Sequence, residues 1–342
     1  MTVAMVSDAW APQVNGVVRT LQEVTSALAS SGRRVATITP DLFRSIPCPT
    51  YPEIRLALWP AGGPHSVAAR LDELAPDAVH IATEGPLGLA ARAHCRRRGW
   101  RFTTAYHTKF PEYVAARFGV PLRCTYTLMR RFHAPSSGIM VATETVRREL
   151  RARGFRNLVP WTRGVDTARF RPRAGEEALP AAALDLPRPV FLTVGRVAVE
   201  KNIRAFLDLD LPGSKLVVGD GPALPALRRA YPHVHFAGRR EGDDLARHYA
   251  AADAFVFPSR TDTFGLVLLE ALASGLPVAA YPVPGPLDVI GPESGVGILD
   301  EDLRRAALSA LAIRREACRA YAMRFAWSAC AAQFLENLVP VR

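Results

Sequence analysis

The chain has 342 residues, 49% of them apolar and 22% charged, which is enough for two domains with ordinary globular cores. No apolar run approaches the ~20 residues that span a bilayer, so no membrane-spanning helix is expected. The five cysteines (Cys48, Cys95, Cys124, Cys318, Cys330) are scattered without a C-x-x-C pair, which argues against a disulfide framework or a cysteine metal site and for a reducing cytoplasm.

In chain order the elements alternate. The opening MTVAMVSDAW lacks a basic segment followed by an apolar one, so it reads as a first strand, Val3 to Val6, and not as a secretory leader. Val17, Leu21, Val24 and Leu28 recur at helical spacing up to Ser31-Gly32. Val35 to Ile38, Val79 to Ile81, Phe102 to Tyr106 and Ile139 to Ala142 read as strands, and Thr145 to Ala152 as a helix. Pro-, Ala- and charge-rich residues 171–188 read as an interdomain linker between a first domain, 1–170, and a second, 189–315. The alternation then restarts with strands at Val190 to Val194, Lys215 to Val218, Val234 to Phe236, Ala254 to Phe257 and Pro277 to Ala280. Between them lie helices at Ala223 to Ala230, Asp243 to Ala251 and Phe264 to Ser274. Residues 316–342 are expected to hold a final helix, Glu316 to Leu338, crossing back to the first domain. Such a pattern predicts an α/β protein of two doubly wound parallel sheets, with ligands beyond the carboxyl ends of the strands and an interdomain cleft.

The net charge is +11, and Arg92 to Arg131 holds ten basic residues against one acid, Glu112. A patch of this kind fits nucleic acid or anionic lipid, or is simply a solvated face; no nucleic-acid-binding motif accompanies it. "RFGVPLRCTYTLMRRF" mixes Arg117, Arg123, Arg130 and Arg131 with Phe, Leu, Tyr and Met, a mixture suited to an interfacial segment on anionic lipid.

Three stretches carry candidate chemistry. In "PSRTDTFGLVLLEALASG" the carboxylates Asp262 and Glu270 bracket an otherwise greasy helix start. A buried carboxylate needs a polar partner, either a ligand hydroxyl or a core arginine. The helix start, with Gly265 permitting close approach, suits phosphate, and eight residues of helical rise would separate the two acids by ~12 Å at most. In "TVGRVAVEKN", Arg196 and Lys201 follow a strand end at Gly195, a natural clamp for a diphosphate. "VVGDGPALPAL", with Gly219, resembles a nucleotide loop but is neither G-x-G-x-x-G nor a Walker motif. Earlier, Gly16 opens a helix after a strand and loop. His107 just past a strand end reads either as a proton carrier or hydroxyl binder or as a structural histidine. Asp208-Leu-Asp210 has the spacing of a metal-diphosphate motif but lies at a helix end before a turn, so no metal is assigned to it.

Taken together, "RGVDTARFRP", "GRVAVEKN", "GDGP" and "PSRTDTFGLVLLEALASGLPV", an E-x(7)-E-like segment, resemble the GT-B glycosyltransferases of retaining family 4, the glycosyl transferases group 1. The resemblance covers nearly the whole chain. It implies that Arg196 and Lys201 bind the donor diphosphate and that Glu270 holds the nucleotide ribose. Asp262 would contact the donor sugar, with the backbone of Thr263, Phe264, Gly265 and Leu266 along the phosphates. Gly16 and Gly219 would lie near the donor, and His107 near the transferred sugar. Asp262 stands where the family usually has Glu, one methylene longer. "YPVPGPLDVIG" adds a resemblance to a branch of GDP-mannose-dependent α-mannosyltransferases, whose relatives glycosylate diacylglycerol.

The activity this implies is transfer of a hexose from a GDP- or UDP-linked sugar with the anomeric configuration retained, on a front-face route. The leaving diphosphate takes the acceptor's proton, no metal is required, and the domains close on the donor about the linker. With the basic patch, the expectation is a peripheral enzyme at the cytoplasmic membrane face acting on a lipid such as diacylglycerol. A soluble polysaccharide or small-glycoside transferase, a nucleotide-sugar epimerase and a phosphorylase on the same fold are the alternatives. The chain shows no identifiable pyridoxal-anchoring lysine for the last of these.

Overall fold

Val3, Ala4, Met5 and Val6 are completely buried, as a parallel strand covered on both faces requires, and they start the first of two six-stranded sheets. A computed structural model of the chain describes all residues except 14, 49–50, 59, 61, 64, 108–109, 113–118, 174–185, 263 and 292. It divides into two compact units, Met1–Arg163 with Trp327–Arg342, and Gly164–Ala326. Most of the expected linker, 171–188, lies outside the described residues.

In the first unit the strands are β1 (Thr2–Val6), β2 (Arg34–Ile38), β5 (Ala78–Ile81), β6 (Thr103–Tyr106), β7 (Gly138–Val141) and β8 (Leu158–Pro160). They run parallel in the order β2-β1-β5-β6-β7-β8, and a hairpin, β3 (Ser45–Cys48) with β4 (Tyr51–Ala57), forms a separate antiparallel pair. The helices that position the site are α1 (Gly16–Ser30), α3 (Pro86–Arg98) and α4 (Leu122–His133); α2 (Val67–Leu74) and α5 (Glu144–Ala152) complete the run. Helix α1 buries Val18, Leu21, Val24 and Leu28, the stripe read from its period.

The second unit repeats the plan. Strands β9 (Val190–Val194), β10 (Ser214–Val218), β11 (His235–Gly238), β12 (Ala254–Phe257), β13 (Val278–Ala280) and β14 (Gly297–Leu299) are parallel, in the order β11-β10-β9-β12-β13-β14. Its helices are α6 (Ile203–Leu207), α7 (Leu224–Ala230), α8 (Gly242–Ala251), α9 (Leu266–Ala273), α10 (Pro284–Val289), α11 (Leu303–Ala310) and α12 (Arg315–Ala322). Phe191, Phe206, Val217 and Val256 sit in one continuous core beneath them. In both sheets the order reverses beside the first strand, at β1/β5 and at β9/β12. Crevices open at such points in doubly wound folds.

The final segment differs from the single helix expected over Glu316 to Leu338. Helix α12 ends at Ala322, a 3-10 turn follows, Ala326 is extended (φ −64°, ψ 147°), and α13 (Trp327–Asn337) begins anew. The cause is the aromatic placement. The Tyr321 and Phe325 rings lie 5.5 Å apart within the second unit, while Trp327 and Phe334 are buried in the first.

Candidate active site

The chain is built so that two loops meet at the switch point of the second sheet. After β9 it passes Gly195, Arg196 and the 3-10 turn Val199–Lys201; after the neighbouring β12 it runs through Pro258 to Asp262. Three bonds tie these loops together. Asn202, at φ 53°, donates from its side-chain amide to the Pro258 carbonyl at 3.1 Å. Thr261 Oγ1 donates to the Glu200 carbonyl at 3.2 Å, and Lys201 Nζ is 2.5 Å from Asp262 Oδ1. The other carboxylate oxygen of Asp262, Oδ2, is buried and has no hydrogen-bond partner among the described residues. Arg196 is exposed, and its guanidinium has no partner among them either. The two cations are therefore not equivalent. Lys201 is already neutralised, so the trio Arg196, Lys201 and Asp262 presents one net positive charge, with one carboxylate oxygen available for a hydroxyl donor.

The backbone geometry at these strand ends follows from glycine. A Cβ on Gly219 would stand 1.8 Å from the Gly195 carbonyl oxygen, so the tips of β9 and β10 approach as closely as they do only because position 219 has no side chain. Gly265 lies at φ 80° and precedes α9, whose first turn is capped by no side chain and holds no acid. The helix therefore starts at Leu266, two residues later than expected at Phe264, because Gly265 adopts a left-handed conformation. Phe264 is buried and Leu266 partly so; Thr263 lies outside the described residues.

Glu270 is in the middle of α9 and is 3% exposed. Its carboxylate oxygen Oε2 accepts from the Tyr249 hydroxyl, on α8, at 2.9 Å. Tyr249 was not legible as a partner. The only signal for it is a single tyrosine on the inward stripe of an alanine-rich helix.

In the first unit His107 follows β6. Arg163 Nη2 donates to its Nδ1 at 3.1 Å, its Nε2 is buried without a partner among the described residues, and its ring meets Trp161 edge-on at 5.7 Å between centroids. Burial first, and the Arg163 cation second, hold its pKa well below the usual histidine range, so the imidazole is neutral. Arg163 is itself 5% exposed, and burial lowers it to about 10, leaving it a cation at neutral pH. It was legible only as a charge inside the apolar stretch "PWTRGV", a setting that demands acceptors. Gly16 is exposed as the first residue of α1, where Asn15 Oδ1 accepts from the Val17 and Val18 amides, each at 3.0 Å.

Asp8, just past β1, was also missed. It is 6% exposed and caps α3, accepting from Leu87 N at 2.9 Å, Gly88 N at 3.3 Å and Thr83 Oγ1 at 2.9 Å. The D-x-D residues part company: Asp208 accepts from the Tyr231 hydroxyl, and Asp210 is 3.8 Å from Arg304. Among the described residues no group of three or more His, Cys, Asp or Glu side chains is arranged to hold a metal ion.

On α4, Thr125, Tyr126, Met129 and Phe132 face the core, leaving Leu122, Arg123, Leu128, Arg130 and Arg131 exposed. Arg130 donates to the Arg153 carbonyl at 3.1 Å, whereas the side chains of Arg123 and Arg131 have no partner among the described residues. Arg117 lies outside them. No helix among the described residues is long and apolar enough to cross a membrane.

Comparison with known proteins bears on what this arrangement serves. A family model described as Glycosyltransferase Family 4 matches residues 14–169, and one described as Glycosyl transferases group 1 matches residues 188–314. A GDP-mannose-dependent alpha-mannosyltransferase of Mycobacterium tuberculosis is 32% identical over 310 residues, covering 85% of this chain and 81% of that protein. An alpha-monoglucosyldiacylglycerol synthase of Streptococcus pneumoniae is 27% identical over 83% of this chain and 72% of its own length. Among solved structures, Anabaena Alr3699/HepE in complex with UDP-glucose superposes with a TM-score of 0.71 at 15% identity, over 98% of each chain.

Proposed function

Because the chain belongs to glycosyltransferase family 4, and so is a nucleotide-sugar-dependent hexosyltransferase, we propose that it delivers its hexose, with retention, to a lipid such as diacylglycerol at an anionic, cytoplasmic membrane face. The observation that carries the donor half is the Lys201–Asp262 pair at the β9/β12 switch point, with Arg196 exposed on the loop that follows β9 and the start of α9 uncapped by any side chain. An unpaired guanidinium and free helix N–H groups favour a diphosphate, while the unpartnered Asp262 Oδ2 suits a sugar hydroxyl. Glu270, already holding one hydroxyl donor in Tyr249, has the chemistry to hold a ribose diol. GDP-mannose is the first donor to test, since the mycobacterial relative is named for it.

In the chemical step the bond from the anomeric carbon to the diphosphate breaks and a bond to the acceptor oxygen forms on the same face. The acceptor's proton passes to a diphosphate oxygen. Arg196, Lys201 and the α9 start stabilise the charge that develops there, and these cations take the place of a metal ion in the proposal. The acceptor half rests on the name of the diacylglycerol-directed relative and on the exposed Arg123, Leu128 and Arg131 face of α4. Incubation with a panel of GDP- and UDP-sugars, with and without diacylglycerol vesicles, tests both halves, and the one-bond carbon–proton coupling at the product's anomeric carbon reports its configuration. An α-linked glycolipid is expected from an α-linked donor. Transfer to water or to soluble glycosides alone would overturn the lipid acceptor.

A further inference from the structure

We propose that Arg163 is a positioning residue that fixes His107 as its Nε2–H tautomer, so that the ring meets the transferred sugar as a hydrogen-bond donor and never as a base. The part concerning the sugar rests on the function proposed above. A guanidinium carries five N–H donors and no acceptor, so the 3.1 Å contact from Arg163 Nη2 obliges His107 Nδ1 to offer its lone pair. The single proton of the neutral ring is then on Nε2.

Arg163 is itself held on the far side. Its Nη1 donates to the Trp161 carbonyl at 2.9 Å and the Thr162 carbonyl at 3.3 Å, and its carbon Cζ lies 4.8 Å above the Trp161 ring. Trp161, completely buried, also packs edge-on against His107, so guanidinium and imidazole share one aromatic support. The charged and titratable groups facing His107 are Arg163, His80 and His133, and each disfavours a proton on both nitrogens. His80 contacts Thr103 Oγ1 through Nδ1 at 2.9 Å, its own Nε2 is likewise buried without a partner among the described residues, and burial holds it down to about 3. His133 is engaged at both nitrogens, by Thr104 and Glu84. What remains is a buried Nε2–H with no partner among the described residues, a donor whose unmet bond is costly until a ligand oxygen arrives.

The test is a two-bond proton–nitrogen correlation spectrum of the full-length protein carrying 15N-histidine, with His107 assigned by its loss in His107→Gln. The expected spectrum shows a protonated Nε2, a lone-pair Nδ1, and no second proton on acidification to about pH 5. Arg163→Lys, which retains a donor, is expected to keep that tautomer. Arg163→Met is expected to lose it and to lower kcat by roughly 10- to 100-fold, with the donor KM changed by less than about threefold. A wild-type ring protonated at Nδ1, or an Arg163→Met protein with unchanged tautomer and kcat, would overturn the proposal. The wild-type spectrum needs no substrate, and its reading does not depend on whether the Arg163 variants fold. A correct tautomer in a protein that transfers no sugar would sink the sugar-facing half and the functional reading together, while a wrong tautomer in an active transferase would sink this proposal alone.

Discussion

Lys201 and Asp262 form an ion pair across the switch point of the second sheet, Nζ to Oδ1 at 2.5 Å, with both side chains a quarter exposed or thereabouts (28% and 21%). The pair leaves one Asp262 oxygen unused and halves the positive charge that Arg196 and Lys201 would offer alone. In the function proposed above, a donor diphosphate and its sugar share this pair. Asp262→Asn is expected to free Lys201 and hold or tighten nucleoside diphosphate binding, yet lower kcat by ~10²-fold through loss of the sugar contact. Lys201→Met is expected to weaken diphosphate binding instead. Steady-state kinetics with isothermal titration separate the two effects.

Gly219 is a structural requirement whatever it also does for the donor. With the Gly195 carbonyl 1.8 Å from where a Cβ would sit, and φ at +145°, Gly219→Ala is expected to destabilise the second unit. A cost of ~2–3 kcal/mol, or a melting temperature lower by roughly 5–10 °C in calorimetry, is the scale expected for backbone strain with a clash.

Asp8 gives the fold a pH dependence of definite sign. Burial raises its folded-state pKa above the ordinary 3.8, against the lowering effect of the Leu87, Thr83 and Gly88 bonds. A raised carboxyl pKa contributes stability that is full below 3.8 and is lost as pH rises through the folded value, because the folded state binds more protons in that window. Asp8→Asn keeps an amide oxygen to accept the cap bonds and cannot ionise, so it is expected to change stability by less than about 1 kcal/mol near pH 4 and to flatten the pH dependence above 3.8. Urea unfolding of both proteins across pH measures the difference in slope.

The α4 face should bind anionic vesicles in proportion to its charge. Juxtamembrane arginines contribute about 1 kcal/mol each, so Arg123→Gln with Arg131→Gln is expected to lower partitioning to phosphatidylserine vesicles roughly 30-fold. Little change is expected with neutral vesicles, and added salt should mimic the substitution. Flotation with the two vesicle types, at two salt concentrations, measures this.

Much of the fold was readable because buried parallel strands are continuous apolar runs. Val190 to Val194 and Ala254 to Phe257 match their strands residue for residue. Helix α3 was harder: its terminal Arg96, Arg97 and Arg98 and its many alanines blur any 3.6-residue period. The break at Ala326 was hidden because Tyr321, Phe325, Trp327 and Phe334 look like one stripe until they are seen to serve two units. Within the site, motif residues were legible one at a time, but their pairings were not. Lys201 and Asp262 are 61 positions apart and Arg163 and His107 are 56 apart, and strand order, which no local pattern encodes, brings each pair together.

In the proposed function, Arg196 and Glu270 grip opposite ends of one nucleoside diphosphate in the second unit. Isothermal titration of GDP, UDP and the corresponding free nucleosides into wild type, Arg196→Met and Glu270→Gln tests it directly. Arg196→Met is expected to weaken the preferred diphosphate by roughly 10- to 100-fold and to leave its nucleoside unaffected, whereas Glu270→Gln is expected to weaken both by a comparable factor. Wild-type affinity for the diphosphate in both variants, each shown to be folded by circular dichroism, would contradict it.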